Sequence, residues 1–123
     1  MPSTIPGNVL QIKALEFARA GVEYSSRLTS LKQFALANQF IRCSTSIGAN
    51  IFEATKSESR KDFIHKLKIA EKEASETAFW LLLFSQFSDF PPTSELDSQL
   101  TEIKKLLGKS ISTAKRNMEN LNT

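Results

Sequence analysis

Apolar residues recur at steps of three and four over four stretches of the chain, the spacing that stacks side chains on one face of an α-helix. The first stretch covers about residues 8–28, where Ile12, Leu15, Ala18, Val22 and Ser26 keep one face mostly apolar. Asn8 with Gln11 three residues on makes a capping pattern at its start, and Ile5 and Pro6 stand just outside. The second covers about 32–56, with a seam of Leu36, Phe40, Cys43, Ile47, Ile51 and Ala54. The third opens on Ser59 and Asp62, a second capping pattern, and meets no breaker before about residue 88. Its seam is Phe63, Leu67, Ala70, Ala74, Thr77 or Ala78, Leu81 and Phe84, on a rod of about 45 Å at 1.5 Å rise per residue. Pro91-Pro92 must close it, because consecutive prolines remove amide donors and push the preceding residue out of the helical region. The fourth covers about 94–121 through Leu96, Leu100, Ile103, Leu107, Ile111, Ala114, Met118 and Leu121. Loops of a few residues cannot carry the chain back along such rods, so consecutive helices must run antiparallel. The expected fold is all-α: one up-down-up-down four-helix bundle over residues 1–123.

Composition agrees and narrows the function. A chain of 123 residues supports one core, and 4 Gly and 4 Pro are too few for a turn-rich β fold. No apolar run approaches the roughly 18–20 residues that cross a bilayer, and the N-terminus lacks the basic-then-apolar pattern of a signal peptide, so a soluble chain is expected. The single Cys43 cannot form an internal disulfide, which fits a reducing, cytoplasmic compartment. A net charge of +3 permits a polyanionic partner without requiring one.

Candidate chemistry is sparse. The run from Cys43 to Asn50 is rich in poor helix formers, so tertiary contacts must compensate; Ser44 and Gly48, four apart, would let a neighbouring helix approach closely. Ser46, Asn50 and Glu53 fall on one stripe and are expected to form a buried polar network that fixes helix register or a subunit contact. Antiparallel pairing about residues 57 and 58 sets Cys43 opposite Lys72 and His65 opposite Asn50, too far apart for a catalytic dyad. With one His and one Cys no zinc-type ligand spacing exists. Glu53 and Asp62 are the one carboxylate pair to consider, and each has a structural use nearby, Asp62 at a helix N-terminus and Glu53 close to Lys56 and Arg60. No phosphate loop or nucleophile elbow occurs. No enzymatic activity, cofactor, metal or small-molecule substrate is expected.

Two features point outward. Ala78 to Phe84 are successive apolar residues, followed by Phe87 and Phe90, and they cover every direction around a helix, so one bundle interior cannot shelter them all. Phe79, Trp80, Leu83 and Phe87 are the candidate oligomer contacts, unless the Pro91-Pro92 loop and the first helix cover them. On the fourth helix, Lys104, Lys105, Lys109, Lys115 and Arg116 occur with no acidic residue between 104 and 116. At 100° per residue, Lys105, Lys109 and Arg116 fall within about 40° on the side opposite the apolar arc. These five are the candidate contacts to a nucleic-acid backbone, which Lys and Arg hold without sequence readout. A weaker basic segment contains Arg60, Lys61, Lys66, Lys68 and Lys72.

The stretch from Ser44 to Ala54, followed by Ser59, Asp62-Phe63, Lys66-Leu67, Ile69-Ala70, Glu73-Ala74, Glu76-Thr77 and Trp80-Leu81, resembles the four helix bundle protein family. That family includes proteins encoded in intervening sequences of bacterial large-subunit ribosomal RNA genes. The resemblance is strongest over about residues 34–84. It implies assembly into a barrel-like homopentamer, and a related branch, the accessory variability determinant of diversity-generating retroelements, binds nucleic acid and a reverse transcriptase. The functional expectation is a non-enzymatic, oligomeric helical scaffold that binds nucleic acid or a protein handling it. The alternative is a protein-interaction module with no nucleic-acid role.

Overall fold

The computed structural model describes residues 8–121, with side chains through residue 120. Ile5, Pro6 and the Leu121 side chain, used above, lie outside the described residues. Four helices follow in order: α1 (Val9–Ser30), α2 (Phe34–Ala54), α3 (Arg60–Phe84) and α4 (Ser94–Leu121). Each packs on its chain neighbours and α4 returns against α1, which closes a four-helix bundle.

The ends of the helices follow from local chemistry. Asn8 and Gln11 form the complete capping box: each side chain bonds the other's backbone N–H at 2.9 Å. α1 ends in a Schellman arrangement, with Gln33 N–H donating to Leu28 O and Lys32 N–H to Thr29 O. Lys32 takes the left-handed position (φ 64°) that glycine usually fills, so the turn delays α2 to Phe34, two residues later than expected. Ser59 caps α3 by accepting from Asp62 N–H at 3.0 Å. α3 stops at Phe84, four residues short of the expected end, leaving 25 residues or about 38 Å. Beyond it, Gln86 and Phe87 N–H turn back to Leu83 O and Phe84 O, and Phe87 stacks on Phe90 with ring centroids 4.8 Å apart. Aromatic packing of the loop replaces a further helical turn.

The core is one continuous cluster. Phe17, Phe40, Phe84, Leu28, Ile47, Leu67, Leu81, Ile103 and Leu107 are fully buried, each contributing about 1.5–3 kcal/mol by transfer from water. Tyr24, Phe40 and Phe84 form an aromatic triad with centroids 5.4–5.5 Å apart. The Tyr24 hydroxyl donates to Pro91 O at 2.8 Å and pins the α3–α4 loop over this triad.

The core face of α1 differs from the expected one. Leu10, Ala14, Phe17, Gly21, Tyr24 and Leu28 are buried, whereas Leu15 and Val22 are 43% and 45% exposed. α1 carries two apolar stripes side by side, and the stripe holding its aromatic residues and its smallest residues goes inside. The small residues decide this, because α1 and α2 approach closely where they meet. A Cβ placed on Gly21 would lie 2.3 Å from Ser44 Oγ and 2.8 Å from Ser44 Cβ, and one on Gly48 would lie 3.4 Å from Ala14 O. The close approach expected at Ser44 and Gly48 is present, and its partners are Gly21 and Ala14. In α3 Ile64 is buried in place of Phe63, and of the two alternatives Thr77 and Ala78 it is Thr77 that is buried. The α2–α3 register is displaced by about one turn from the expected one, since Thr77 rather than Lys72 stands beside Cys43.

Two outcomes test this packing. Gly21→Ala and Gly108→Ala make the same change inside helices, and the second Cβ meets nothing within 4 Å. Urea unfolding at fixed protein concentration should show the first destabilising by about 1–3 kcal/mol and the second stabilising by about 0.5–1 kcal/mol. Equal shifts in the same direction would contradict the close approach. The second outcome concerns Tyr24, the chain's single tyrosine, whose hydroxyl burial pushes up to about 12. The unfolded phenol ionises near its ordinary value of about 10. Stability supplied by the neutral hydroxyl is therefore complete below pH 10 and lost as pH rises toward 12. Spectrophotometric titration should find the folded tyrosinate transition well above that of the urea-unfolded chain; coincident transitions would count against the buried bond to Pro91.

Candidate nucleic-acid interface

All five basic candidates on α4 are exposed, but they do not make one surface. Lys115 lies beside Lys68 of α3, and that neighbour, through hydrogen bonding and then charge, lowers the Lys115 ammonium below its ordinary value. Lys104 sits three turns earlier on the same side of α4. Lys105, Lys109 and Arg116 point elsewhere. Lys105 lines a shallow groove with Glu102, and Lys109 lines a cleft with Arg60 at the end of the bundle where α1 and α3 begin. Among the described residues, the cations held in ion pairs are Lys13 with Glu102 at 2.7 Å, Lys66 with Glu53 at 3.2 Å, and Arg42 with Glu73 and Glu76. The α4 cations have no such partner, so their charge is available to a ligand.

The aromatic candidates divide as well. Phe79 is 56% exposed and Phe87 is also exposed, while Trp80 and Leu83 are half-buried. Leu82, absent from the sequence candidates, is 65% exposed and is the most open large apolar side chain described. Trp80 crosses Phe79 edge to face at 5.3 Å and donates its indole N–H to Glu76 at 3.2 Å. Glu76 also accepts from Arg42 of α2, so the Trp80 ring is fixed by a small polar network. Sequence reading missed this network because it depends on the α2–α3 register. The loop covers Phe84 and partly covers Phe90, and leaves Phe79, Leu82 and Phe87 open.

Within one chain the polar stripe on α2 does not join neighbouring helices in a buried network. Ser46 donates to Arg42 O at 2.7 Å and the Asn50 amide to Ser46 O at 2.9 Å, both back along their own helix. Glu53 is exposed and turns to Lys66. Such back-bonding satisfies these side chains without fixing a neighbour. Cys43 is fully buried, donates weakly to Phe40 O at 3.5 Å, and has its thiol pushed up by burial. His65 is exposed. No three His, Cys, Asp or Glu side chains group as a metal set among the described residues. No helix among them is long and apolar enough to cross a membrane.

An antiparallel four-helix bundle with exposed cations on its fourth helix and open apolar side chains near the end of its third is the class these features define. The model of the 23S rRNA-intervening sequence proteins matches residues 8–109, beyond the central stretch on both sides, and the chain belongs to that family. Among solved structures it is similar to a protein of unknown function from the S23 ribosomal protein family of Bacteroides thetaiotaomicron VPI-5482. The two are 43% identical with a TM-score of 0.78, over 84% of this chain and 98% of that one. The comparison with curated proteins gives no match.

Proposed function

We propose that this protein is a non-enzymatic scaffold that works as an assembly of its own copies and holds a nucleic-acid backbone along α4. The observation that carries the binding role is the exposed set Lys105, Lys109 and Arg116, which falls within about 40° on one face of α4 and has no carboxylate partner among the described residues. Backbone phosphates reward such charges by counterion release, with little dependence on sequence. Repetition of the stripe around an assembly would multiply weak contacts.

Two separate apolar surfaces support the assembly. One is the end of α3 with Phe79, Leu82 and Phe87; the other is the outer α1–α2 seam, where Leu15, Val22, Phe34 and Ile41 stay exposed. Different patches meeting head to tail generate closed rings when the rotation permits. A ring of five follows from the family resemblance. Cytoplasmic location belongs to the same reading. The exposed aromatics also suit a protein partner, and that second reading takes over if nucleic acid is not bound.

Size-exclusion chromatography with light scattering should give a mass about five times 13.8 kDa, and Phe79→Ser with Leu82→Ser should lower it. A species of one subunit mass at micromolar concentration contradicts assembly. Affinity for a DNA or RNA duplex should fall steeply with salt and fall again in the Lys105→Glu, Lys109→Glu, Arg116→Glu variant. Binding unmoved by either change contradicts the electrostatic mechanism, and absence of binding at physiological salt leaves the protein-partner reading.

A further inference from the structure

The seam between α1 and α4 is the least intimate of the four, and at the end of the bundle where α1 begins it opens into a cleft of about 500 Å³ whose wall also includes the start of α3. The lining combines two chemistries. Leu10, Phe63 and Leu106 give it an apolar floor with an aromatic ring. Arg60 and Lys109 supply two cations, Ser110 and Thr113 supply hydroxyls, and no carboxylate is among the described residues that line it. Neither cation has a carboxylate partner among the described residues. The first turn of α1, which carries no acidic residue, adds the positive end of a helix dipole at the same place. Phe63 was expected in the bundle seam, yet it is half-buried and Ile64 takes the core position. Phe63 packs against the edge of the core and presents its remaining surface to the cleft.

We infer that the cleft binds a single nucleotide unit, with the base against Phe63 and the apolar floor and the phosphate between Arg60 and Lys109. An apolar pocket alone would favour an uncharged ligand, and a cationic rim alone would favour any anion. The two together select a flat apolar group carrying a phosphate. A base paired and stacked inside a duplex cannot enter, so the site takes a nucleotide at a chain end or splayed from a single strand. This deepens the backbone-binding reading and shares Lys109 with it, but it uses neither Lys105 nor Arg116.

Calorimetric titration of the full chain with adenosine 5′-monophosphate, adenosine and inorganic phosphate tests the site. The monophosphate should bind tighter than either fragment. Thr113 is exposed at the cleft rim, so Thr113→Trp fills the space without entering the core and should weaken the monophosphate about tenfold or more, with duplex binding retained. Arg60→Gln, also at an exposed position, should weaken the monophosphate and leave adenosine unchanged. Lys105→Glu with Arg116→Glu should do the reverse of the cleft variants, losing the duplex and keeping the monophosphate; that pattern supports the cleft even if duplex binding proves weak. A monophosphate that binds no tighter than inorganic phosphate, or that is unaffected by both Thr113→Trp and Arg60→Gln in folded protein, overturns the inference.

Discussion

The close contact of α1 with α2 sets the rest of the molecule. Gly21 faces Ser44 with no room for a methyl group, and Gly48 faces the Ala14 backbone. Glycine and serine are poor helix formers, costing up to about 1 kcal/mol each in isolation. They persist because near contact of two backbones gains dispersion along the whole seam. Once these residues occupy the contact, the rotation of both helices is fixed. Phe17, Tyr24 and Leu28 turn into the core, Phe40 and Ile47 meet them, and the aromatic triad with Phe84 seats the loop at Pro91.

The same rotation explains what remains outside. α1 has more apolar residues than one face can bury, so Leu15 and Val22 are left at the outer edge of the seam near α2, whose Phe34 and Ile41 are also exposed. On α3 an unbroken apolar run has the same effect at the opposite side of the bundle, where Phe79 and Leu82 stay open while Trp80 is tethered to Glu76. Surplus apolar surface is thus built into two places by the packing of the core. Charge is divided with equal consequence. Acidic partners engage Lys13, Arg42 and Lys66 between helices, and the cations of α4, like most others described, are left to solvent or to a ligand.

Much of the fold was legible because four periodic segments and their breakers leave few arrangements: the caps at Asn8 and Ser59 and the stop before Pro91 are local chemistry. The α1 face was misread because Ile12, Leu15, Ala18 and Val22 repeat as well as Leu10, Ala14, Phe17 and Gly21 do. Periodicity cannot rank two stripes, and only the small residues of the partner helix can. Of the site, the basic residues of α4 were legible from charge alone. Their division among the Lys68 side, the outer face and the Arg60 cleft was not, since it depends on helix register. The polar run at Ser46 and Asn50 makes no link between helices within the chain for a related reason, as such side chains bond their own helix when no neighbour reaches them. The cleft itself gave one signal, Phe63 beside Ile64, two adjacent apolar residues of which a helix can point only one fully inward.

A double-mutant cycle between Gly21→Ala and Ser44→Gly addresses the α1–α2 contact most directly. If the two positions share one tight space, glycine at 44 should relieve most of the penalty of alanine at 21, with a coupling energy of about 1 kcal/mol or more. Additive effects, within about 0.3–0.5 kcal/mol, would mean that the helices do not meet there and that the rotation placing Leu15 and Val22 outside has another origin.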